Sequence, residues 1–186
     1  TGPRSPSTPW PSLRCATWNA HALLIRDQAR FLRKMGVLRK LLSTLDILAI
    51  QEAHASEEEV LSRLHMEARH FIIVTNVGAS RGRDGLLLFA RRKVVSGALF
   101  NKHFVPGRVT RTVVPLKEKR AIIWNIHNDS ISHHEWKSIA MAIKRDRAKA
   151  VRNPTSVILC LLGDFNLMAD GESAIRLSDP SGLVPT

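Results

Sequence analysis

The chain has 186 residues, 44% of them hydrophobic, and its 28 Lys and Arg against 16 Asp and Glu give a net charge of +12. That much apolar material supports one packed domain and excludes a wholly disordered or collagen-like chain. The apolar runs fall far short of the ~20 residues a bilayer takes, and a domain this basic as a rule meets a polyanion, most commonly nucleic acid.

The first residue is Thr1, not Met, so the chain reads as a piece of a longer protein. Residues 1–12 hold Pro3, Pro6, Pro9 and Pro11 among Ser and Thr. They predict a disordered leader, and without an apolar segment they are no signal peptide. From residue 13 to 186 one domain is expected. Leu13–Trp18, Leu45–Ile50, Phe71–Thr75, Gly85–Ala90, Val94–Phe100, Ala121–Ile126 and Val157–Leu162 read as buried strands, short and apolar with polar bounds. Gln28 to Leu45 reads as a helix with Phe31, Met35, Leu38, Leu41, Leu42 and Leu45 on one stripe. Ser56 to Ala68 opens with Ser56 and Glu59 in capping-box spacing, with Val60, Leu61 and Leu64 as its core face. Ser132 to Val151 turns Trp136, Ile139, Ala140 and Ile143 inward. Strands mixed with helices at these spacings predict an α/β layered domain. Cys15 and Cys160, each inside an apolar run, read as reduced buried thiols, since no Cys/His metal spacing accompanies them.

Four of the strands end in side chains that carry chemistry. The first runs into Asn19 and the second into Gln51 and Glu52. The strand at 121 ends in His127 and Asn128, and the last runs into Gly163, Asp164, Phe165 and Asn166. In layered α/β folds ligands bind beyond one end of the strands, where loops are held by a rigid scaffold. Taken singly, an acid at a strand end is as a rule a turn-former or a cap. Together, two carboxylates and several neutral oxygens make a site for a hard cation, Mg²⁺ or Mn²⁺, better than for Zn²⁺. Two other patterns fail. Asp164–Glu172 has Met168 where a calcium loop needs Asp or Asn, and Gly78–Gly85 lacks the Lys-Ser/Thr of a P-loop. Basic residues cluster at Arg81 and Arg83, at Arg108 and Arg111, at Arg91–Lys93, and from Lys144 to Arg152, which favours contact with a phosphate backbone.

The strings Thr17–Asn19 (TWN), Leu45–His54 (LDILAIQEAH), Gly85–Arg91 (GLLLFAR), Ile122–Asn128 (IIWNIHN) and Leu161–Asn166 (LLGDFN) stand in the order seen in the endonuclease/exonuclease/phosphatase superfamily. The chain resembles that group, which includes exonuclease III-like apurinic endonucleases, DNase I-like nucleases and the endonuclease domains of non-LTR retrotransposons. The resemblance implies a four-layered α/β sandwich: two packed mixed β-sheets with helices outside. It implies that Glu52 is the main metal-binding carboxylate, supported by Asn19. Asp164 would orient or activate the nucleophile, while Asn166 and His127 would reach the scissile phosphate. His54, in a QExH arrangement, resembles retrotransposon-type members. The expected activity is that of a divalent-metal-dependent phosphodiesterase on DNA, with Arg81, Arg83, Arg108 and Arg111 meeting nucleic acid. No membrane or protein partner is expected, and the location is intracellular, nuclear for a DNA substrate. The family closes with two further strands and a Ser-Asp-His-type motif. Pro180–Thr186 contains no His, so the resemblance reaches the N-terminal three-quarters of such a domain, C-terminally truncated and feeble on its own. The alternatives are a non-catalytic basic nucleic-acid-binding remnant and a small-molecule phosphoesterase of the same superfamily.

Overall fold

A computed structural model describes residues 12–78 and 84–166. The expected leader, most of the basic loop with Arg81 and Arg83, and residues 167–186 lie outside the described residues. The elements run β1 (Cys15–Asn19), α1 (Gln28–Thr44), β2 (Ile47–Gln51), α2 (Glu57–Arg63), β3 (Phe71–Asn76), β4 (Leu86–Arg91), β5 (Phe100–Val105), β6 (Val109–Pro115), β7 (Arg120–His127), α3 (His133–Arg152) and β8 (Val157–Asp164), with short 3₁₀ turns at Glu67–Arg69 and Arg92–Val94.

The strands form two four-stranded mixed sheets, ordered β1-β2-β4-β3 and β5-β6-β7-β8. In the first, β1 and β2 are parallel and joined through α1. In the second, β7 and β8 are parallel and joined through α3. A parallel pair needs such a crossover, and a helix supplies it. The other pairings are antiparallel.

Three apolar clusters mark the interfaces of four layers. Ile47, Ala49, Leu88 and Ala90 of one sheet meet Val114, Ala121 and Ile123 of the other. Met35, Leu38 and Leu42 of α1 and Val60 of α2 cover the outer face of the first sheet over Leu48, Ile50, Leu87 and Phe89. Trp136, Ile139 and Ile143 of α3 cover the second over Ile122, Trp124 and Ile126. All five residues of β2 are buried, because both faces are covered. The expected sandwich is therefore the observed fold. Among the described residues no helix is long and apolar enough to cross a membrane.

The helices start where their caps dictate. Asp27 accepts the Arg30 N–H at 2.8 Å to open α1, and Ser56 with Glu59 closes the expected capping box on α2. Ser132 and Glu135 form a second box on α3. Three expectations are corrected. Of the expected strand Val94–Phe100 only Phe100 is strand, as the first residue of β5; residues 94–99 are the end of a 3₁₀ turn and a loop whose Val95 and Leu99 pack on the inter-sheet cluster. β6 forms where only the basic cluster of Arg108 and Arg111 and no strand was expected. Leu61 is 67% exposed, since one short helix turns only Val60 and the following Leu64 inward.

Candidate active site

The carboxyl ends of β1, β2, β7 and β8 converge, because both parallel pairs run the same way and β1 faces β8 across the sandwich. There, Glu52, His127 and Asp164 each place one ligand atom within 4.8 Å of the others. The Asn19 side-chain amide bridges the two carboxylates. Its Nδ2 donates to Glu52 Oε1 and to Asp164 Oδ2, each at 2.8 Å. Asn19 Oδ1 in turn accepts the His21 backbone N–H at 3.1 Å. Asn166 lies one turn beyond Asp164, its backbone N–H donating to Asp164 Oδ1 at 3.0 Å and its side chain to the Asn128 carbonyl at 2.7 Å. All five candidate residues thus stand at one end of the sheets.

Two imidazoles flank Glu52 besides His127. His21 Nδ1 is 3.1 Å and His54 Nε2 3.6 Å from Glu52 Oε2. His127 Nε2 is 3.4 Å from Glu52 Oε1. His21 escapes a reading from strand ends because it sits two residues into the following loop; its only signal is a histidine close behind Asn19.

Below the cluster, a closed polar network joins the sheets. Gln51 Nε2 donates to Asn125 Oδ1 at 2.6 Å, Thr17 Oγ1 donates to Gln51 Oε1 at 3.1 Å, and Asn125 Nδ2 donates to the Ile50 and Leu87 carbonyls. Gln51 and Asn125 are buried and fully partnered, so they fix the relative placement of β2 and β7.

The backbone around the cluster is unusual. Among the described residues the positive φ values outside glycine are at His21, Ala22, Glu52, His54, Ser130 and Asn166. All belong to the loops that follow β1, β2, β7 and β8. Non-glycine residues in this region are uncommon and cost about 1–3 kcal/mol each, and they concentrate at functional sites. Sequence spacing carries no sign of it. Gly163, at φ +157°, has another reason for its identity: a Cβ there would lie 2.0 Å from the Ile126 carbonyl oxygen.

Electrostatics favour a cation. Burial alone would raise the Glu52 carboxyl, but the hydrogen bonds from Asn19 and His21 and the nearby His127 hold it below the ordinary range. Burial would raise Asp164 as well, and the Asn19 amide and Asn166 N–H more than offset it. For His127, burial and then the Arg108 guanidinium outweigh Glu52, Asp164 and Asp129 and push the imidazole down. Near neutral pH the cluster therefore holds two ionised carboxylates and a neutral imidazole. Two like charges this close repel unless something positive joins them, and oxygen-rich donors suit a hard divalent ion.

Of the expected nucleic-acid contacts, Arg81 and Arg83 lie outside the described residues. Arg111 pairs with Asp146 through Nε at 2.6 Å and Nη2 at 3.0 Å, beneath α3. Arg108 stands beside His127, with Nη1 2.8 Å from Nδ1.

A model of the endonuclease/exonuclease/phosphatase family matches residues 16–183. No curated protein sequence matches the chain. Among solved structures, a truncated TDP2 of Caenorhabditis elegans superposes with a TM-score of 0.60 at 17% identity, covering 90% of this chain and 72% of that one. A D. rerio TDP2 complexed with a single-strand DNA product gives 0.56 at 19%, covering 84% and 61%. The AP endonuclease LMAP of Leishmania major gives 0.57 at 17%, covering 87% and 57%. At these identities the likeness establishes the fold. The chain spans between 57% and 72% of the length of these three neighbours.

Proposed function

Since the chain belongs to the endonuclease/exonuclease/phosphatase family, we propose that it is the divalent-metal-dependent phosphodiesterase domain of an endonuclease of retrotransposon or apurinic type, acting on DNA. The observation that carries this reading is the pair of ionised carboxylates, one from each sheet, bridged by one asparagine amide. Glu52 and Asp164 would hold Mg²⁺ or Mn²⁺, with Asn19 setting their separation. When bound, the cation would supply Lewis-acid polarisation of a phosphoryl oxygen.

The chain's own groups do the rest. Asp164, ionised, accepts a proton from an attacking water and orients it. Asn166 and His127 donate hydrogen bonds to the non-bridging oxygens of the phosphate, where charge builds. Basic residues, Arg81 and Arg83 among them, would track the backbone and make binding fall steeply with salt. The domain would begin at residue 13, and a DNA substrate places its work in the nucleus.

A D. rerio neighbour solved with a single-strand DNA product and a Leishmania major AP endonuclease support a nucleic-acid substrate. A second reading, a small phosphoester as substrate, draws on the internal pairing of Arg111, which withdraws one expected phosphate contact. Nicking of supercoiled plasmid with Mg²⁺ or Mn²⁺, against hydrolysis of a small aryl phosphodiester, separates the two. Cation-dependent nicking abolished by Glu52→Gln supports the first. Hydrolysis of the small ester alone supports the second, and neither activity removes both.

A further inference from the structure

Among the described residues Arg108 has no direct pairing with Glu52 or Asp164, yet its side chain is only 12% exposed and both of its terminal nitrogens are engaged. Nη2 meets Asp84 Oδ1 at 2.5 Å. Nη1 meets Asp129 Oδ2 at 3.0 Å and Nδ1 of His127 at 2.8 Å. The two residues are also tied through the ladder, the His127 backbone N–H donating to the Arg108 carbonyl at 2.8 Å. Two carboxylates thus offset this guanidinium and fix its plane. It is poorly placed to act as a surface contact to a phosphate backbone.

A guanidinium has only donors and keeps its proton throughout the working pH range. An Arg N–H aimed at Nδ1 of His127 requires a lone pair there. An imidazole with its lone pair on Nδ1 carries its proton on Nε2. Nε2 is the nitrogen that faces the site, 3.4 Å from Glu52 Oε1. A nitrogen that holds a proton has no lone pair in the ring plane to give to a cation.

We propose that Arg108 is a positioning residue that locks His127 in the tautomer protonated on Nε2. His127 then serves the site as a hydrogen-bond donor toward a phosphoryl oxygen and is excluded as a metal ligand, although its ring nitrogen lies within 4.8 Å of both carboxylate ligand atoms. Proximity alone would have made it the third ligand; the partner on its far side decides otherwise. The role toward phosphate rests on the phosphodiesterase reading, whereas the tautomer does not.

Nitrogen-15 NMR of histidine-labelled full chain reads the tautomer without any turnover. The expected spectrum shows His127 protonated on Nε2 and bare on Nδ1, with that bias lost in Arg108→Ala. Removing Arg108 leaves Asp84 and Asp129 without its charge and can unfold the chain, so Arg108→Lys is the second variant. It keeps a donor and a charge, and is expected to retain the tautomer and restore most of the activity lost in the alanine variant. On plasmid DNA, Arg108→Ala should lower kcat about 10- to 100-fold, the usual cost of removing an orienting partner, with KM and its salt dependence unchanged. Mn²⁺ affinity, followed by electron paramagnetic resonance, should be the same in His127→Ala as in the unaltered chain. A proton on Nδ1, a clear loss of Mn²⁺ affinity in His127→Ala, or an Arg108→Ala defect confined to KM would overturn the proposal. Absence of nicking by the unaltered chain would instead sink the phosphodiesterase reading and leave the tautomer measurement to decide Arg108.

Discussion

Lys34 projects from α1 to the loop after β1, where its ammonium donates to the carbonyls of Ala20, His21 and Ala22. Two of those residues have positive φ, so one charged side chain holds a strained turn in place. Replacing Lys34 with Met keeps the stem and deletes the donors. A stability loss of about 1–3 kcal/mol is expected from the charged hydrogen bonds, measured by urea unfolding, together with reduced activity as His21 loses its place beside Glu52. Unchanged stability and activity would show that the loop holds itself. Gly163 gives a sharper case. In Gly163→Ala, the new methyl would meet the Ile126 carbonyl at 2.0 Å. Backbone has to yield, at about 1–3 kcal/mol or more, and Asp164 moves with it. The variant should therefore lose thermal stability and divalent-ion affinity together. Retention of both would mean that β7 and β8 can separate at that point without cost. Among single residues, Glu52, Asp164 and Asn166 were legible because strand ends announce them. Lys34 was not, since on a helical wheel it is one more cation on the polar face.

At the scale of elements, the sequence revealed the strands that are apolar throughout and hid β5, which is largely exposed, and β6, which mixes buried and exposed positions. β6 reads Val-Thr-Arg-Thr-Val-Val-Pro, with Val109, Thr110, Thr112 and Val114 buried. Its β-branched content was a usable signal, but Arg111 in the middle made it look like surface. The structure turns that arginine under α3, where Asp146 is 2% exposed and also accepts the Trp124 indole N–H at 3.2 Å. Lys144 to Arg152 likewise read as a basic cluster facing a phosphate backbone, and the one acid in it, Asp146, is the residue that docks the helix. Arg91 is similar: it donates to the carbonyls of Leu42 and Leu45 and caps the end of α1. Charge count alone cannot separate such internal cations from those that face solvent. Asp146→Ala would leave Arg111 largely buried without its partner, and a loss of about 3–5 kcal/mol is expected in denaturant melts. A loss under ~1 kcal/mol, typical of an exposed pair, would show that Arg111 finds water instead.

For the whole molecule, acid is the expected weakness. Burial would raise the Asp46 carboxyl, but the Arg14 N–H and guanidinium and the Arg91 charge bring it below the ordinary 3.8. Burial would also raise Asp146, and Arg111, Lys149 and Trp124 bring it below 3.8. A carboxyl that is more acidic folded than unfolded adds stability that is complete above its unfolded pKa and is lost as pH falls through the folded one. Unfolding free energy should therefore begin to fall as pH drops below the ordinary 6.5 of an imidazole, because His127 is held below that value in the folded chain, and should decline further below about pH 4, where Asp146→Asn should flatten the decline. An unaltered acid limb in the variant would acquit Asp146. The same architecture has a consequence for heat. Glu52 belongs to one sheet and Asp164 to the other, so a divalent ion held by both would act as a rivet through the sandwich. Anything that binds only the folded chain stabilises it, by about 2.7 kcal/mol at a hundred times its dissociation constant. For a domain of this size that is a rise of roughly 5–10 °C in Tm, which calorimetry with and without Mn²⁺ would detect and Glu52→Gln would erase. No rise would mean that the ion does not bind the folded chain at these concentrations. If it does, the melting temperature of this chain becomes a gauge of the metal supply around it.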